Sequence, residues 1–370
     1  SFAIEVNVTD VNEAPLPIEP RSVSLEENQV SVATIIASDP DGDDLIYSIS
    51  GTDAGLFSIN PATGVLSFQS EPNFESPQDA DNDNTYQLTI TVSDGTADNS
   101  FEVSVSVTDI DEVDLTNTES TIPFLATCAP SVILNCAAYT EVDKAEQEAE
   151  LAKEINDDAV ADISKWASTN RCRVVHVSTD FVFDGRKKEP YLPSDQANPI
   201  GAYGKTKLAG EKHVLELGSN GVIVRTSWLY SEFCNNFVKT MINLMSKKSE
   251  LGIVSDQVGS PTSTHSLSQL LIKVIENDNF YGILHWCDGA SISWFDFAAE
   301  IQKQALTIGL LKKKIPLKPI KTEEYATSAV RPKYSVLDRT YSLEQLNVEI
   351  TDWKDELKVV LSRMSDKDGG

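Results

Sequence analysis

The sequence predicts two domains of different class, an antiparallel β-sandwich followed by a parallel α/β domain. Three observations point there. Residues 1–116 hold 23 Asp and Glu against a single basic residue, Arg21, leaving 34 acidic and 29 basic residues for 117–370. The acidic part alternates short β-prone runs with Gly/Pro/Asp turns and carries no helical period. The remainder alternates apolar strands with segments of 3–4 residue periodicity, the signature of strands joined by crossover helices.

The β-prone runs are FAIEVNV, VSVATIIAS, LIYSIS, YQLTITVS and FEVSVSV. Acidic residues crowd the turns between them, as in Asp39-Pro40-Asp41-Gly42-Asp43-Asp44 and Asp79-Ala80-Asp81-Asn82-Asp83. A lone cluster of this kind is ordinarily a solvated turn. Several clusters at strand ends, with almost no Lys or Arg between them, favour Ca²⁺, which takes many oxygen ligands in flexible geometry. Such a field repels nucleic acid and anionic membrane. No apolar run reaches the ~20 residues of a membrane span. The opening SFAIEVNVTD reads as the middle of a strand and lacks the regions of a secretory leader. The five cysteines all follow residue 127 with no close pairing, which argues reduced thiols rather than a disulfide framework.

This first part resembles a bacterial cadherin-type repeat. The residues that carry the resemblance are Asp10-Val11-Asn12-Glu13-Ala14-Pro15, Leu25-Glu26-Glu27-Asn28, Asp39-Pro40-Asp41, Val92-Ser93-Asp94-Gly95 and Val107-Thr108-Asp109-Ile110-Asp111-Glu112. The resemblance implies calcium held between consecutive repeats. Asp10, Asn12, Asp39, Asp41 and Asp94 would form an upper site; Glu27, Glu75, Asp109 and Asp111 would supply half of a lower one. It further implies residues 1–15 as the last strand and linker of a preceding repeat, 16–114 as the sandwich, and neighbouring repeats as partners. Both sites would be incomplete and weak for want of those neighbours.

Residues 115–130 are expected to be a junction. Beyond it, Ser131–Asn135, Arg173–Val177 and Gly221–Arg225 are predicted strands; 141–169 and Tyr203–Glu216 are predicted helices. The second strand delivers Ser178-Thr179-Asp180 at its carboxyl end, where open α/β sheets bind ligands. In the following helix Tyr203 and Lys207 lie one turn apart on one face. A phenol with its ordinary pKa of about 10 transfers protons poorly at neutral pH. A neighbouring ammonium is expected to lower that pKa, and the Thr179 hydroxyl to hold a carbonyl oxygen against the phenol.

This region resembles the dTDP-4-dehydrorhamnose reductases, a sugar-nucleotide branch of the extended short-chain dehydrogenases. The matching residues are Asn135-Cys136-Ala137-Ala138-Tyr139-Thr140, Ser178-Thr179-Asp180-Phe181-Val182-Phe183-Asp184-Gly185, Tyr203-Gly204-Lys205-Thr206-Lys207, Arg225-Thr226-Ser227-Trp228, Asp256-Gln257 and Arg331-Pro332-Lys333-Tyr334-Ser335. The resemblance implies a truncated Rossmann-like domain with a small α/β substrate-binding lobe over 131–365. It implies reduction of the 4-keto group of a nucleotide-linked deoxysugar by NADPH or NADH. Tyr203 would donate the proton, Lys207 would tune it and bind the nicotinamide ribose, and Thr179 would align the carbonyl. Ala137, Ala138, Tyr139 and Ser178 would line the cofactor, with Asp180, Trp228, Arg331 and Ser335 facing the sugar nucleotide. Phe181 stands where the family usually has Tyr.

No glycine lies between Gly95 and Gly185. The Gly-rich turn that lets backbone approach a pyrophosphate therefore has no counterpart, and cofactor affinity is expected to fall heavily. The alternative function is a calcium-binding adhesion or surface module carrying an inactive reductase remnant. The compartments diverge accordingly: cytoplasm for the reductase part, the cell exterior for the cadherin-like part.

Overall fold

The computed structural model describes residues 11–74, 76–108, 113–277, 279–325, 327–346, 348 and 352–367. The chain divides into two compact units, Ser1–Glu112 and Val113–Gly370.

The first unit contains β1 (Leu16–Glu19), β2 (Ser22–Glu26), β3 (Ser31–Thr34), β4 (Ile36–Ser38), β5 (Ile46–Ser50), β6 (Phe57–Ile59), β7 (Val65–Phe68), β8 (Thr85–Ser93) and β9 (Asp98–Thr108). They form a four-stranded sheet in the order β2-β9-β8-β5, a three-stranded sheet β3-β7-β6 and a β1-β4 pair. Strict alternation in β8 and β9 buries Tyr86, Leu88, Ile90 and Val92 with Phe101, Val103, Val105 and Val107. These side chains share one core with Phe57, Leu66 and Phe68 of the smaller sheet. The antiparallel pairing expected throughout is broken at one pair: β2 runs parallel to β9, matching Ser22 to Ser104 and Glu26 to Thr108. The chain reaches β9 from β2 through both sheets, so the two strands arrive side by side in the same direction.

The second unit begins with α1 (Thr118–Cys128), β10 (Val132–Asn135), α2 (Ala149–Lys153), α3 (Ala159–Asn170) and β11 (Arg173–Thr179). It continues through α4 (Ala202–Leu215), β12 (Gly221–Thr226), β13 (Leu229–Tyr230), α5 (Phe237–Lys247), β14 (Leu251–Val254), β15 (Val258–Gly259) and β16 (Thr262–Ser263). It ends with α6 (Thr264–Glu276), β17 (Gly282–His285), β18 (Ile292–Ser293), α7 (Trp294–Thr307), β19 (Leu317–Ile320), α8 (Thr340–Leu346) and α9 (Trp353–Lys367). Strands β10-β11-β12-β17 make a parallel sheet in that order. Among the described residues β10 pairs only with β11, and Leu134 stands 40% exposed on this edge strand.

Two elements add to the expectations here. The stretch 115–130, expected as a junction, holds α1. Asn117 caps that helix by accepting from the Glu119 N–H at 3.0 Å, and Leu125 is buried against Val160 and Ile163 of α3. The predicted helix 141–169 becomes regular only from Ala149. A five-residue π turn at Glu154–Asp158 then joins α2 to α3. Its buried Asn156 both accepts from the Tyr139 N–H at 2.9 Å and donates to the Tyr139 carbonyl at 3.1 Å.

Sheet and helices meet through matched periodicities. Val174 and Ser178 of β11 point at α4, where they meet Val214 and Glu211, whereas Val175 packs against Leu267, Leu270 and Val274 of α6. A further apolar cluster joins α5, α7, α9 and β14 through Met241, Phe297, Ile301, Trp353 and Leu357.

Candidate active site

The carboxyl ends of β11 and β12 open into a cleft of about 480 Å³ lined by Ala138, Ser178, Thr179, Asp180, Tyr203, Lys207, Trp228 and Arg331. Helix α4 supplies Tyr203 and Lys207, and its position depends on one glycine. A Cβ on Gly204 would lie 2.2 Å from the Phe181 carbonyl oxygen, so only glycine lets α4 close onto the loop after β11. Phe181 packs edge-to-face on Tyr203, with ring centroids 5.7 Å apart.

Thr179 donates its hydroxyl to Asp180 Oδ1 at 3.1 Å and accepts from the Phe181 N–H at the same distance. Asp180 is buried, and loss of hydration lifts its carboxyl to about 6 despite hydrogen bonds from Ser335 and Thr179. Burial likewise raises the Tyr203 phenol to about 12; the Thr179 hydroxyl opposes that shift and the Asp180 charge adds to it.

Lys207, expected to tune Tyr203, has its ammonium anchored on strand β11. Lys207, 2% exposed, directs its ammonium to the Val177 carbonyl at 2.8 Å and to His176 Nε2 at 3.1 Å. Burial lowers Lys207 itself to about 8, against the opposing pull of Glu211 and Cys136.

Of the remaining expected residues, Ser178, Arg331 and Ala138 line the cleft and Tyr139 and Ala137 do not. Tyr139 turns away from the cleft: its phenol donates to Glu148 at 2.5 Å, which raises it to about 12, and its ring packs on Ala145 and Ala152. Ser178 lines the cleft, but its hydroxyl is committed to Glu211 Oε1 at 2.6 Å. That carboxylate also holds Arg225 at 2.8 and 2.6 Å in a buried ion pair. Arg331 reaches the cleft while gripping Asp143 at 2.6 and 3.1 Å, and its guanidinium keeps the Asp143 carboxyl below its ordinary range. Ala138 borders the cleft, whereas Ala137 is exposed and donates its N–H to Asn135 at 3.1 Å.

Sequence reasoning missed Trp294, the first residue of α7. Its indole stacks on Trp228 with centroids 3.5 Å apart and planes 9° from parallel. Trp228 holds φ +48°, a strained conformation for an aromatic residue that recurs at functional sites. Trp294 also borders an adjoining apolar pocket of about 260 Å³, between Phe237, Met241, Ile253 and Tyr325, with Arg331 at its rim. His176 was missed as well; a lone histidine inside a doubly covered parallel strand was the available signal.

In the first unit, Asn12 donates to Asp94 Oδ2 at 2.9 Å and the Glu13 N–H donates to Asp41 Oδ2 at 2.9 Å, bringing the linker against both loops. Carboxylates of Asp39, Asp41 and Asp43 converge, and so do those of Asp79, Asp81 and Asp83. Glu27 is buried and accepts from the Phe74 N–H at 2.9 Å. Asp10, Glu75, Asp109 and Asp111 lie outside the described residues.

Comparison with known proteins gives two family matches: RmlD substrate binding domain over residues 86–366 and Cadherin domain over 21–108. The first begins within β8, so the two overlap on the last strands of the first unit. A dTDP-4-dehydrorhamnose reductase of Aggregatibacter actinomycetemcomitans is 37% identical over 255 residues, covering 68% of this chain and 87% of the relative. The spore coat polysaccharide biosynthesis protein SpsK of Bacillus subtilis is 35% identical over 237 residues, 64% of this chain and 80% of its own length. Among solved structures, a dTDP-4-dehydrorhamnose reductase ortholog from Clostridium acetobutylicum superposes with a TM-score of 0.65 at 43% identity, covering 71% of this chain and 91% of that one. The Bacillus anthracis reductase in complex with NADP gives 0.64 at 36% identity, covering 70% and 90%.

Proposed function

Since the chain belongs to the RmlD substrate binding domain family, whose relatives here are dTDP-4-dehydrorhamnose reductases, we propose that its second unit reduces the 4-keto group of a nucleotide-linked deoxysugar, with cofactor binding weakened. The observation that carries this reading is the convergence of Thr179, Tyr203 and Lys207 on one cleft walled by Trp228, Trp294 and Arg331. In the 131–365 region we read a truncated Rossmann-like domain with a small substrate lobe. In 16–114 we read a β-sandwich of cadherin type.

The chemistry asked of these residues is modest. Reduction of a ketone needs a proton at its oxygen, and a phenol raised to about 12 is protonated throughout the neutral range. Tyr203 can therefore donate, with the Thr179 hydroxyl holding the carbonyl oxygen in line. The sugar packs on the Trp228–Trp294 stack and the base enters the apolar pocket beside Phe237 and Met241. Arg331, at the mouth of both, takes the diphosphate once it shares or releases Asp143.

NADPH or NADH would supply the hydride. The residues present suit only part of that group. Lys207 and the backbone around Ala138 fit the nicotinamide ribose. The pyrophosphate half does not fit, because among the described residues β10 pairs on one side only and no glycine occurs between Gly95 and Gly185. The hydride donor is thus expected to bind far more weakly than in an intact site. Such a unit works in the cytoplasm, where reduced nicotinamide is supplied.

A fluorescence titration with NADPH tests the weakened site, and a micromolar Kd would overturn it. Loss of NADPH absorbance with dTDP-4-dehydrorhamnose, at millimolar NADPH, tests the activity; no turnover there refutes it. A second reading has its own support: the convergent carboxylates of the first unit favour a calcium-binding, cadherin-like surface module. Among the described residues no helix is long and apolar enough to cross a membrane.

A further inference from the structure

His176 is fully buried in the middle of β11, its backbone in register with Asn135 of β10 and Ile223 of β12. Its side chain lies on the α4 face of the sheet and, among the described residues, reaches a single polar partner, the Lys207 ammonium, 3.1 Å from Nε2. Nδ1 is buried with no hydrogen-bond partner among the described residues. A histidine serving only as packing would be replaceable by an apolar side chain at lower cost, since an imidazole in a dry core forfeits hydration of both nitrogens. This one keeps one nitrogen unsatisfied in order to place the other against a lysine.

We propose that His176 is the positioning residue for Lys207, accepting one ammonium hydrogen on Nε2 so that a second goes to the Val177 carbonyl and the third faces the cleft. An ammonium has three donors and no acceptor. Two fixed acceptors at 3.1 and 2.8 Å therefore set both the place of the nitrogen and the direction of its remaining N–H. The ammonium can only donate, so His176 must be neutral with its proton on Nδ1. Burial and the adjacent cation both disfavour a second proton on the ring. The other titratable groups acting on Lys207 are Glu211, one turn along α4, and Cys136 at the end of β10. Glu211 is already saturated by Ser178 and Arg225, which leaves His176 as the side-chain acceptor at bonding distance. The imidazole holds the lysine in its charged form without adding a charge of its own.

The functional meaning of this arrangement rests on the reductase reading, but its test does not. The Lys207 15Nζ signal, identified by its loss in Lys207→Met, is titrated in the lysine-labelled full chain. A hydrogen bond to a charged group is worth about 1.5–3 kcal/mol, so deleting the acceptor in His176→Leu should lower the Lys207 midpoint by about one pH unit or more. His176→Gln, which offers an amide oxygen instead, should restore it to near the wild-type value. An unchanged midpoint in His176→Leu overturns the proposal. Should that variant not fold, the wild-type long-range 1H–15N spectrum of the imidazole decides: a proton on Nδ1 is expected, and a proton on Nε2 overturns the assignment. Failure of NADPH oxidation with these outcomes intact would reject the reductase reading alone.

Discussion

Replacing Lys207 with Met tests the electrostatics of the cleft without asking for catalysis. Lys207 is 2% exposed, and burial is the main cause that lowers its pKa from 10.5 to about 8. A depressed lysine pKa means that the unfolded chain holds a proton the folded chain has released, so stability rises with pH between those two values. Below about pH 8 the full penalty applies; above about 10.5 it is gone. At about 1.4 kcal/mol per pH unit, the window contributes about 3 kcal/mol. Lys207→Met has no such group, so its stability relative to wild type should fall by about that amount from pH 7 to pH 10.5. At pH 7 the variant gains from losing a buried cation, but it strands the Val177 carbonyl and His176 Nε2 at a cost of about 1–3 kcal/mol. The two proteins should therefore be close in stability at neutral pH and diverge in alkali, wild type becoming the more stable. Urea unfolding followed by tryptophan fluorescence isolates the right unit, because all five tryptophans (Trp166, Trp228, Trp286, Trp294 and Trp353) belong to it. Distant groups that titrate in the same range cancel in the difference. A stability gap that stays constant from pH 7 to 10.5 would refute the buried, depressed lysine and the geometry behind it.

Tyr203→Phe removes the proton donor while keeping the ring that packs on Phe181, so kcat should fall by about 10²–10⁴-fold with NADPH affinity unchanged in the fluorescence titration. Gly204→Ala places a methyl 2.2 Å from the Phe181 carbonyl oxygen, and urea midpoints should show a loss of about 1–3 kcal/mol. Calcium at 10 mM, bound with a Kd of about 1 mM, stabilises a domain by about 1.4 kcal/mol. The first unit should then melt roughly 6–10 °C higher by circular dichroism, with the tryptophan transition of the second unit unmoved.

The parts of the fold that could be read from sequence are those where one periodicity acts alone. The alternation of Tyr86 to Val92 and the 3.6-residue spacing from Ala149 onward each specify an element and its buried face. The parallel β2–β9 pair was not legible, because pairing partners are set by chain path rather than by either strand's own pattern. Helix α1 was obscured by Pro123 and by the Thr/Ser content of its first turn. Its stability comes from the Asn117 cap and from burial of Leu125, and the latter is a tertiary fact. In the site, spacing brought Tyr203 and Lys207 to one helix face. It could not say which acceptor each would find, and the competition for the lysine was decided by a strand residue thirty-one positions earlier.

That competition bears on how far a motif predicts chemistry. The Tyr-x-x-x-Lys spacing guarantees proximity of the two side chains, yet electrostatic coupling depends on where the charge of the longer one is anchored. In this chain His176 and Val177 anchor it on the sheet side of α4, and the phenol is left to burial, Thr179 and Asp180. A phenol so placed is a reservoir for a proton rather than a ready base, which suits ketone reduction better than alcohol oxidation at neutral pH. The same dryness that raises Tyr203 also lowers Lys207, which favours a neutral phenol and an ammonium that gives up its proton more readily than a free lysine. A polyol or phosphate entering the cleft would draw the third Lys207 N–H outward and favour its charged form. The acidity of Tyr203 stays set by burial, Thr179 and Asp180, so a ligand that pairs with Lys207 fixes its own place in the cleft without altering the proton donor.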